Sequence, residues 1–309
     1  MTVEHIFDLP NIRKSPDAAV ISSTLDELAP KKRVKNFSRA DDNFALFDQS
    51  SLFVWLTSLL ASPLDWIDSE DVREEIWASA SLRLSERCGR TAAPEFEREI
   101  EVTLADGTPL EIRLLEPSLT EDSLGLKTWG SALVLANRLA KEHAKLLRDP
   151  ILELGSGTGL SGIVAAKLGH EIWVSDLPEI IDNLRRNVSM NCNSSDNIRA
   201  EVLDWANPSE SEIFKEKKEE FSSILVSDPI YSPQHPKMVC DMIKTFLRHT
   251  SDALVCVQLP LRRKFEQERT SFYAGLESIG LVRIRYEIEH GVDDFGEMDY
   301  AWSSWKWRD

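Results

Sequence analysis

The sequence predicts an α/β protein whose largely parallel sheet is covered by helices on both faces, preceded by a helical segment and a β-hairpin. From residue 150 onward, short apolar runs alternate with amphipathic stretches of ten or more residues. One of these runs leads into a turn with three glycines, Gly155, Gly157 and Gly159. The last two apolar runs follow each other without room for a crossing helix, which favours antiparallel pairing there.

We divide the chain into a flexible N-terminal segment over 1–40, a helical extension over 41–95 and a C-terminal domain over 96–309. That domain begins with a hairpin region over 96–125. A length of 309 residues accommodates one large domain with an extension. The first segment is polar, and we expect its three prolines to interrupt regular structure: Pro10, Pro16 and Pro30.

The extension has the periodicity of helices. Apolar residues recur at spacings of three and four from Phe44 through Phe47 to Leu59, and the pattern resumes after the break at residue 63. We expect two helices, and either Asp68 or Ser69 to cap the second one.

The residues that follow change from the helical period to the strand period. Ile100–Leu104 and Leu110–Leu114 alternate apolar with polar residues on either side of Asp106 and Gly107, which predicts a β-hairpin. An amphipathic helix is predicted next, over 126–147.

Beyond residue 150 the alternation of strand and helix is regular. Strands are predicted at 151–154, 172–175, 198–203, 223–227 and 254–258. Helices are predicted at 160–168, 178–190, 236–248 and 263–279. Two final strands, at 281–289 and 300–307, are expected to pair antiparallel. Short apolar strands separated by helices are typical of a parallel sheet buried on both faces.

The composition argues against several functional classes. The chain carries 36 Lys and Arg against 52 Asp and Glu, a net charge of −16, which repels phosphate backbones and favours basic partners. Its four cysteines have no CxxC spacing, which argues against a zinc site and a disulfide framework. The longest apolar run, over 51–61, is about half of the ~20 residues that span a bilayer.

From these features we expect a cytoplasmic protein with no metal site, no membrane insertion and no direct nucleic-acid binding. A short basic run over 30–35 is interpreted as solvated charge, and a nuclear-localisation signal is the alternative.

The strongest motif joins the strand at 151–154 to the next helix. It consists of Glu153 and, after one leucine, Gly155, Ser156, Gly157, Thr158 and Gly159. Glycines at alternate positions allow a tight turn and the close approach of a ligand. A dinucleotide fingerprint would need glycine at 160, where this chain has Leu160. GxGxG after an acid is instead the pattern of class I methyltransferases, which bind S-adenosylmethionine, and the Glu153 carboxylate suits a cationic ligand. A tight turn without a ligand is the alternative.

Acidic and aromatic residues end the next two strands. Asp176, followed by Leu177, ends the second strand, where a carboxylate accepts hydrogen bonds from both ribose hydroxyls. Asp204 and Trp205 end the third strand, where methyltransferases of this class contact the adenine amine with the carboxylate and the base with the ring. A core role is the alternative for this tryptophan.

The fourth strand ends in Ser227, Asp228, Pro229, Ile230 and Tyr231. In an open α/β sheet this end lies beside the end of the first strand, where ligands bind. We expect Ser227 to contact the cofactor, and Asp228 with the carbonyl of Pro229 to hold an amine. Tyr231 can hydrogen-bond that amine or present its ring face to it. An ordinary turn after a strand is the alternative.

Together these motifs resemble the seven-β-strand protein-lysine methyltransferases of methyltransferase family 16. The matching residues are Glu153–Gly159, Asp176, Asp228–Tyr231 and, within a Leu-x-x-Trp-x-x-Ala context, Trp129. The resemblance covers residue 97 to the C-terminus. The stretch that begins at Asp228 and continues to Pro236 is most like the fungal branch that methylates elongation factor 2.

The resemblance implies a twisted, Rossmann-like sheet in the order 3-2-1-4-5-7-6 with strand seven antiparallel. It also implies S-adenosylmethionine as cofactor, Trp129 at the border of its pocket, and Asp228, Pro229 and Tyr231 as catalytic residues. The implied activity is protein-lysine N-methylation of a cytosolic translation factor, elongation factor 2 in particular. The segment before residue 95 resembles the variable extension that docks the protein target, and we expect a monomer.

Three alternatives stay open at this point. Asp-Pro-Ile-Tyr approximates the Asn/Asp-Pro-Pro-Tyr/Phe motif of nucleic-acid amino-methyltransferases. A small-molecule N-methyltransferase and a non-catalytic scaffold that retains the fold are the others. Of the remaining residues, His235 is expected to be a solvated loop histidine, and a role in shaping the entrance for the target lysine is the alternative. The terminal tryptophans are expected to pack the last strand, with a peptide-binding surface as the alternative: Trp302, Trp305 and Trp307.

Overall fold

The computed structural model describes residues 8–29, 33–37, 49–86, 95–118, 124–211, 213–294 and 296–308. The chain forms two compact units. The first comprises Met1–Val34, Ser38–Phe96 and Pro117–Asp122, and the second comprises Lys35–Phe37, Glu97–Glu116 and Ser123–Asp309. The units are therefore interleaved along the chain, unlike the consecutive segments expected from the sequence. Phe44, Phe47, Cys88 and residues 30–32 of the basic run lie outside the described residues.

The first unit contains helix α1 (Ala18–Glu27), in a region that the sequence predicted to be irregular. That prediction was wrong for these residues, because Pro16 lies before the helix and does not interrupt it. Asp17 is the N-cap, with its side chain accepting a hydrogen bond from the Ala19 N–H (2.8 Å). Ile21 and Leu25 are fully buried on one side of α1.

Helices α2 (Gln49–Ala61) and α3 (Glu70–Ser85) confirm the two predicted helices of the extension. Ser69, one of the two candidate caps, accepts a hydrogen bond from the Val72 N–H. Three indole N–H groups donate to backbone carbonyls within this unit: Trp55 to Pro10, Trp66 to Pro16 and Trp77 to Ser62. Because buried indole N–H groups need a partner, these bonds attach the loops to the helices.

The predicted hairpin is confirmed as strands β2 (Phe96–Thr103) and β3 (Pro109–Glu116). With β1 (Arg33–Lys35) they form a three-stranded sheet in the order β1-β2-β3. Ile100, Val102, Ile112 and Leu114 are buried on one face, as the alternation predicted.

The second unit contains a seven-stranded sheet in the order β6-β5-β4-β7-β8-β10-β9. Its strands are β4 (Ile151–Leu154), β5 (Ile172–Asp176), β6 (Ile198–Val202), β7 (Ser223–Ser227), β8 (Leu254–Pro260), β9 (Leu281–Asp293) and β10 (Gly296–Trp307). The strand β10 is antiparallel to both neighbours, and the remaining pairs are parallel. Counted from β4, the order is 3-2-1-4-5-7-6, which confirms the fold class.

The helices of this unit are α4 (Gly130–Leu146), α5 (Leu160–Lys167), α6 (Pro178–Asn191), α7 (His235–Phe246) and α8 (Glu266–Ser278). Residues of α4, α5 and α6 share one core with Ile151 and the β2–β3 hairpin, and residues of α7 and α8 share the other with Leu152. Adjacent residues of one strand thus belong to opposite cores. Trp302 and Trp305 are fully buried and Trp307 is 8% exposed, as expected.

Two helices begin later than predicted. Helix α4 starts at Gly130 and not at 126, because Trp129 is an extended N-cap residue, and α8 starts at Glu266 after a 3₁₀ turn at Arg263–Phe265. The strands β9 and β10 extend further toward each other than predicted, since charged residues alternate along their exposed ends. Among the helices in the described part of the chain, none combines the length and apolar character needed to cross a bilayer.

Candidate active site

A cavity of ≈ 310 Å³ opens in the second unit where β4, β5 and β7 end. Parallel strands bring their carboxyl ends to one edge of a sheet, so the loops after these strands surround one space. The predicted residues that line it are Trp129, Glu153, Gly155, Ser156, Gly157, Thr158, Asp176, Leu177, Asp204, Trp205, Ser227, Asp228, Pro229 and Tyr231. Their assignment to cofactor binding or catalysis stays a prediction.

The glycine-rich turn supplies the floor of the cavity. Gly155 and Gly157 have φ values of +66° and +57°, which favour glycine. A Cβ at Gly155 would lie 3.0 Å from the Trp205 ring, and a Cβ at Gly157 would lie 3.0 Å from the carbonyl oxygen of Gly125. The turn is therefore close-packed against neighbouring parts of the site.

Gly159 has a different role from the other glycines. It was grouped with them as a cofactor residue, but it is not among the residues that line the cavity. It is the N-cap of α5 with a φ of +87°, and a Cβ there would lie 2.6 Å from Leu184 Cδ1. Its left-handed conformation and lack of a side chain start the helix and let α6 approach.

Glu153 is 2% exposed and faces the beginning of α5. Burial raises its pKa to about 7, and hydrogen bonds from Ser156, Gly162 and Ser161 oppose that rise. Gly162 lies so close that a Cβ there would be 2.7 Å from Glu153 Oε2. The sequence analysis did not single out Gly162, although a glycine inside a helix beside a buried strand is a sign of close packing.

Asp176, at the end of β5, joins the second strand to the glycine turn. Its Oδ2 accepts a hydrogen bond from the Gly157 N–H (2.7 Å) and its Oδ1 accepts one from the Leu177 N–H (2.8 Å). Burial raises its pKa to about 6, against the effect of these two bonds. Each carboxylate oxygen has a second lone pair, so the group can still accept hydrogen bonds from a ligand.

Asp204 and Trp205 follow β6. The Asp204 carboxylate accepts hydrogen bonds from the Ala206 N–H (2.8 Å) and from the Asn207 side-chain amide (3.1 Å), so part of its capacity stabilises its own turn. Trp205 lies edge-on to His235, with ring centroids 6.0 Å apart. Its buried Nε1 has no hydrogen-bond partner among the described residues.

Asp228 follows β7 in a left-handed backbone conformation (φ 54°), and its N–H donates to the Gln258 carbonyl (3.0 Å). Such a φ is uncommon for a residue other than glycine, and strain of this kind is concentrated at functional sites. The side chain is almost completely buried. Burial raises its pKa to about 7, Asp293 raises it further, and Arg262 with Ser131 lowers it.

Tyr231 and His235 form the outer rim near Pro229. Tyr231 is 43% exposed, and burial of the rest raises the pKa of its hydroxyl. Its ring is perpendicular to that of His235, with centroids 4.3 Å apart. Nδ1 of His235 lies 2.7 Å from the carbonyl oxygen of Pro229, the atom predicted to hold an amine. The expectation of a solvated loop histidine was therefore wrong, because His235 is the first residue of α7 and lines the cavity.

Arg262 is the most important residue that the sequence analysis missed. Its Nη2 lies 3.1 Å from Asp228 Oδ2, and its guanidinium carbon lies 4.9 Å from the centre of the Trp129 ring. It comes from the loop after β8, so the rule that identified Asp228 at a strand end would also have identified this residue. Lys264 and Phe265 of the same loop line the cavity as well.

The lining fits a ligand with both a cationic and an aromatic part. The lining includes the two carboxylates Glu153 and Asp176 and the aromatic ring of Trp205. The buried polar atoms of the lining that have no hydrogen-bond partner among the described residues include Trp205 Nε1 and Ser227 Oγ. Since buried polar groups normally have partners, these atoms fit a bound polar molecule such as S-adenosylmethionine.

Comparison with known proteins found a family model and several relatives that match the chain. A family model described as lysine methyltransferase matches residues 108–277. The chain is 40% identical over 261 residues to the protein-lysine N-methyltransferase EFM2 of Saccharomyces cerevisiae, covering 76% of this chain and 59% of the yeast protein.

Two further relatives differ in how much of the chain they match. Protein-lysine N-methyltransferase rrg1 of Schizosaccharomyces pombe is 32% identical over 314 residues, covering 97% of this chain and 98% of that protein. EEF1A lysine methyltransferase 3 of Xenopus tropicalis is 27% identical over 95 residues, covering 31% of this chain and 42% of that protein.

Proposed function

The chain belongs to the lysine methyltransferase family, and from that premise we propose that it methylates a lysine of a translation elongation factor, elongation factor 2 in particular. Family membership makes it an S-adenosylmethionine-dependent methyltransferase with protein lysine as the substrate class. The observation that supports an amine as the methyl acceptor is the position of Asp228. Its buried carboxylate lines the same cavity as Glu153 and Asp176.

The residues divide into two groups by what they offer. Bound S-adenosylmethionine would supply a methyl group on a sulfonium sulfur: a nitrogen–carbon bond to a neutral amine would form as the carbon–sulfur bond breaks, with S-adenosylhomocysteine as the leaving group. Asp176 offers acceptors for hydroxyl groups, and Trp205 offers a face and a free indole N–H for a base. Asp228 and Tyr231, which line the same cavity, offer a carboxylate and an aromatic ring to a cation. A lysine side chain is the substrate that matches the second group, because it is long, narrow and cationic.

Two observations favour an elongation factor as the carrier of that lysine. The relative from Xenopus tropicalis is named for EEF1A, so elongation-factor lysines are substrates within this group of proteins. The net charge of −16 favours a basic protein surface over a nucleic acid. We infer elongation factor 2 rather than EEF1A from the Asp228–Pro236 stretch described above.

The test is transfer of labelled methyl from S-adenosylmethionine to purified elongation factor 2 and EEF1A, read by intact mass and peptide mapping. We expect one modified lysine in elongation factor 2. Asp228→Asn should reduce the rate about 100-fold, because the amine is no longer oriented by a carboxylate. Asp252→Asn, an exposed aspartate before β8, is the matched control and should keep the wild-type rate.

Other results would contradict the proposal or indicate a different substrate. Label in a product that ribonuclease destroys would indicate a nucleic-acid substrate, and dialysable label would indicate a small molecule. If S-adenosylhomocysteine binds in calorimetry but no protein of a lysate accepts label, the elongation-factor proposal fails.

We also propose that the protein acts as a monomer in the cytoplasm, with the segment before residue 95 docking the target. Light scattering of the purified chain and fractionation of cells that express it with a small tag test the first two points. A dimer at micromolar concentration, or a purely nuclear signal, would contradict them.

A further inference from the structure

Arg262 is held from three directions at the rim of the cavity. Its Nη2 lies 3.1 Å from Asp228 Oδ2 and 3.7 Å from Asp293 Oδ2, and its Nη1 lies 3.4 Å from Asp228 Oδ1. The indole of Trp129 lies against its face, with 4.9 Å between the guanidinium carbon and the ring centre. A planar guanidinium forked between carboxylates and stacked on an aromatic ring has little freedom to turn.

The three partners come from separate elements that meet only at this edge of the sheet. Asp228 follows β7, Asp293 ends β9 and Trp129 precedes α4. The side chains of both aspartates are 2% exposed and that of Arg262 is 19% exposed. These ion pairs are therefore largely buried, unlike exposed surface ion pairs, which contribute little to stability.

Behind this group lies Tyr300. It is fully buried, and Gly130 leaves it room, because a Cβ at Gly130 would be 2.0 Å from the Tyr300 hydroxyl. Asp293 is the largest charged influence on this hydroxyl. Asp293 thus lies beside both Arg262 and the buried Tyr300.

Two carboxylates, those of Asp228 and Asp293, lie beside the one guanidinium of Arg262. A carboxylate oxygen has a second lone pair, so Asp228 can accept a hydrogen bond from an amine while it is paired with Arg262. Asp228 and Arg262 both line the cavity, and Asp293 is not among its lining residues.

We propose that Arg262 is a positioning residue for methyl transfer: anchored by Asp293 and stacked on Trp129, it holds the Asp228 carboxylate toward the target amine. This inference rests on the proposed function, since it names the group that orients the amine-binding carboxylate.

The test compares Arg262→Met and Arg262→Lys with Arg263→Met, whose exposed side chain lies on the same loop outside the cavity lining. For Arg262→Met we expect kcat to fall about 30-fold while KM for the protein substrate changes less than threefold, because the amine is bound but poorly aligned. Arg262→Lys should recover part of the loss, since it keeps the charge but not the fork. Arg263→Met should be unchanged.

The pH dependence of kcat gives a readout that a merely structural role would not change. The groups that face Asp228 are Arg262, Asp293, Tyr231 and Tyr300 together with the Ser131 hydroxyl. Of these, Arg262 is the one that favours the charged form by its own charge. Its loss should shift the acidic limb of the kcat profile to higher pH, and Arg263→Met should leave that limb in place.

Binding of S-adenosylhomocysteine, measured by calorimetry, should stay within threefold of wild type in all variants. Retained kcat in Arg262→Met, or an equal loss in Arg263→Met, would overturn the inference. If the wild-type protein methylates no protein, the proposed function fails, and the pairing is judged by unfolding of Arg262→Met, Asp228→Asn and the double variant. The pairing is supported if the change in the unfolding equilibrium constant of the double variant differs at least fivefold from the product of the changes in the two single variants. It is rejected if the change in the double variant equals that product.

Discussion

Three carboxylates in one cavity are almost completely buried: Glu153, Asp176 and Asp228 are 2%, 8% and 7% exposed. Burial disfavours the ionised form of each and raises its pKa, to about 7, about 6 and about 7 respectively. A fold under selection for stability alone would place apolar residues there. These carboxylates therefore lower the stability of the fold. Buried ionisable groups with shifted pKa values are typical of functional sites.

This cost predicts that Glu153→Gln stabilises the ligand-free protein at high pH. In the wild type, the unfolded chain loses the Glu153 proton near the ordinary value of 4.5, but the folded chain keeps it until about pH 7. The wild-type free energy of unfolding therefore decreases as the pH rises from 4.5 to about 7. The variant with a neutral glutamine does not show this decrease. A pKa shift of this size corresponds to a difference of roughly 3 kcal/mol in the free energy of unfolding above pH 7.

Urea unfolding at pH 4.5 and pH 8 measures the effect. The advantage of Glu153→Gln should be small at the lower pH and near its full value at the higher one, while binding of S-adenosylhomocysteine weakens. An advantage independent of pH would mean that shape, and not charge, causes the change.

Glycine at 157 is predicted to be required by its surroundings and not by its φ alone. Gly157→Ala adds a Cβ 3.0 Å from the Gly125 carbonyl oxygen and disturbs the hydrogen bond that the Gly157 N–H donates to Asp176. Gly107→Ala is the matched control, because its φ of +85° has the same backbone preference but nothing lies within 4 Å. Gly107→Ala should lose about 1 kcal/mol of stability because of its φ, and Gly157→Ala should lose more, because its new Cβ also meets the Gly125 carbonyl.

Only Gly157→Ala should weaken S-adenosylhomocysteine binding, by about tenfold or more, since only it moves the turn that lines the cavity. Calorimetry on both variants decides the point. Equal affinities would show that the turn tolerates a side chain.

At the scale of elements, the small sheet is joined to the end of the large one through Arg98 on β2. Arg98 is 1% exposed and forms ion pairs with Glu116 of β3 and with Asp294, just beyond β9 (2.9 Å). It also donates to the Asn36 carbonyl (2.6 Å) and lies over the Phe37 ring. One side chain therefore links four parts of the second unit.

Arg98→Met should destabilise the protein by about 3–5 kcal/mol, because Glu116, which is fully buried, would lose its counter-ion. Arg113→Met on the adjacent strand β3, where the side chain is exposed, should change stability by less than about 0.5 kcal/mol. Adding Glu116→Leu to Arg98→Met should recover part of the loss. Urea unfolding that fails to separate the two single variants would contradict this account.

The helix α6 holds the outer edge of β3 with asparagines spaced four residues apart. Asn187 accepts from the Leu115 N–H (2.7 Å) and donates to the Leu115 carbonyl (3.2 Å), and Asn191 does the same with Arg113. Asn187 also donates to the Thr158 carbonyl (3.1 Å) in the glycine turn. Side-chain amides thus take the place of a further strand and connect the hairpin to the cavity.

At the scale of the whole molecule, the net charge of −16 predicts a salt-dependent reaction. For a basic protein substrate, kcat/KM should fall about tenfold between 50 and 300 mM salt, because screening removes long-range attraction. The kcat at saturating substrate should change little, since buried contacts are screened less. A kcat/KM that does not respond to salt would show that the acidic surface has no part in encounter.

Much of this fold is predictable because local patterns record which side of each element is buried. The strands from β4 to β8 and their helices follow from alternating apolar runs, and the sheet order follows from the family resemblance. Predictions failed where a boundary depended on packing: α1 forms in a segment considered irregular, and α4 begins only after the extended Trp129. In both places burial against other elements decided the outcome, and a local window does not contain that information.

The sequence by itself determined the fold class, the glycine turn and the acids that end successive strands, because each depends on residues adjacent in the chain. The tertiary structure alone decided that Arg262 meets Asp228 across 34 positions, that Asp293 supports it, and that His235 faces Pro229. Such contacts depend on which strands become neighbours and on how far each loop reaches. That geometry is a property of the assembled sheet, where charges far apart in the chain share one buried space with little water.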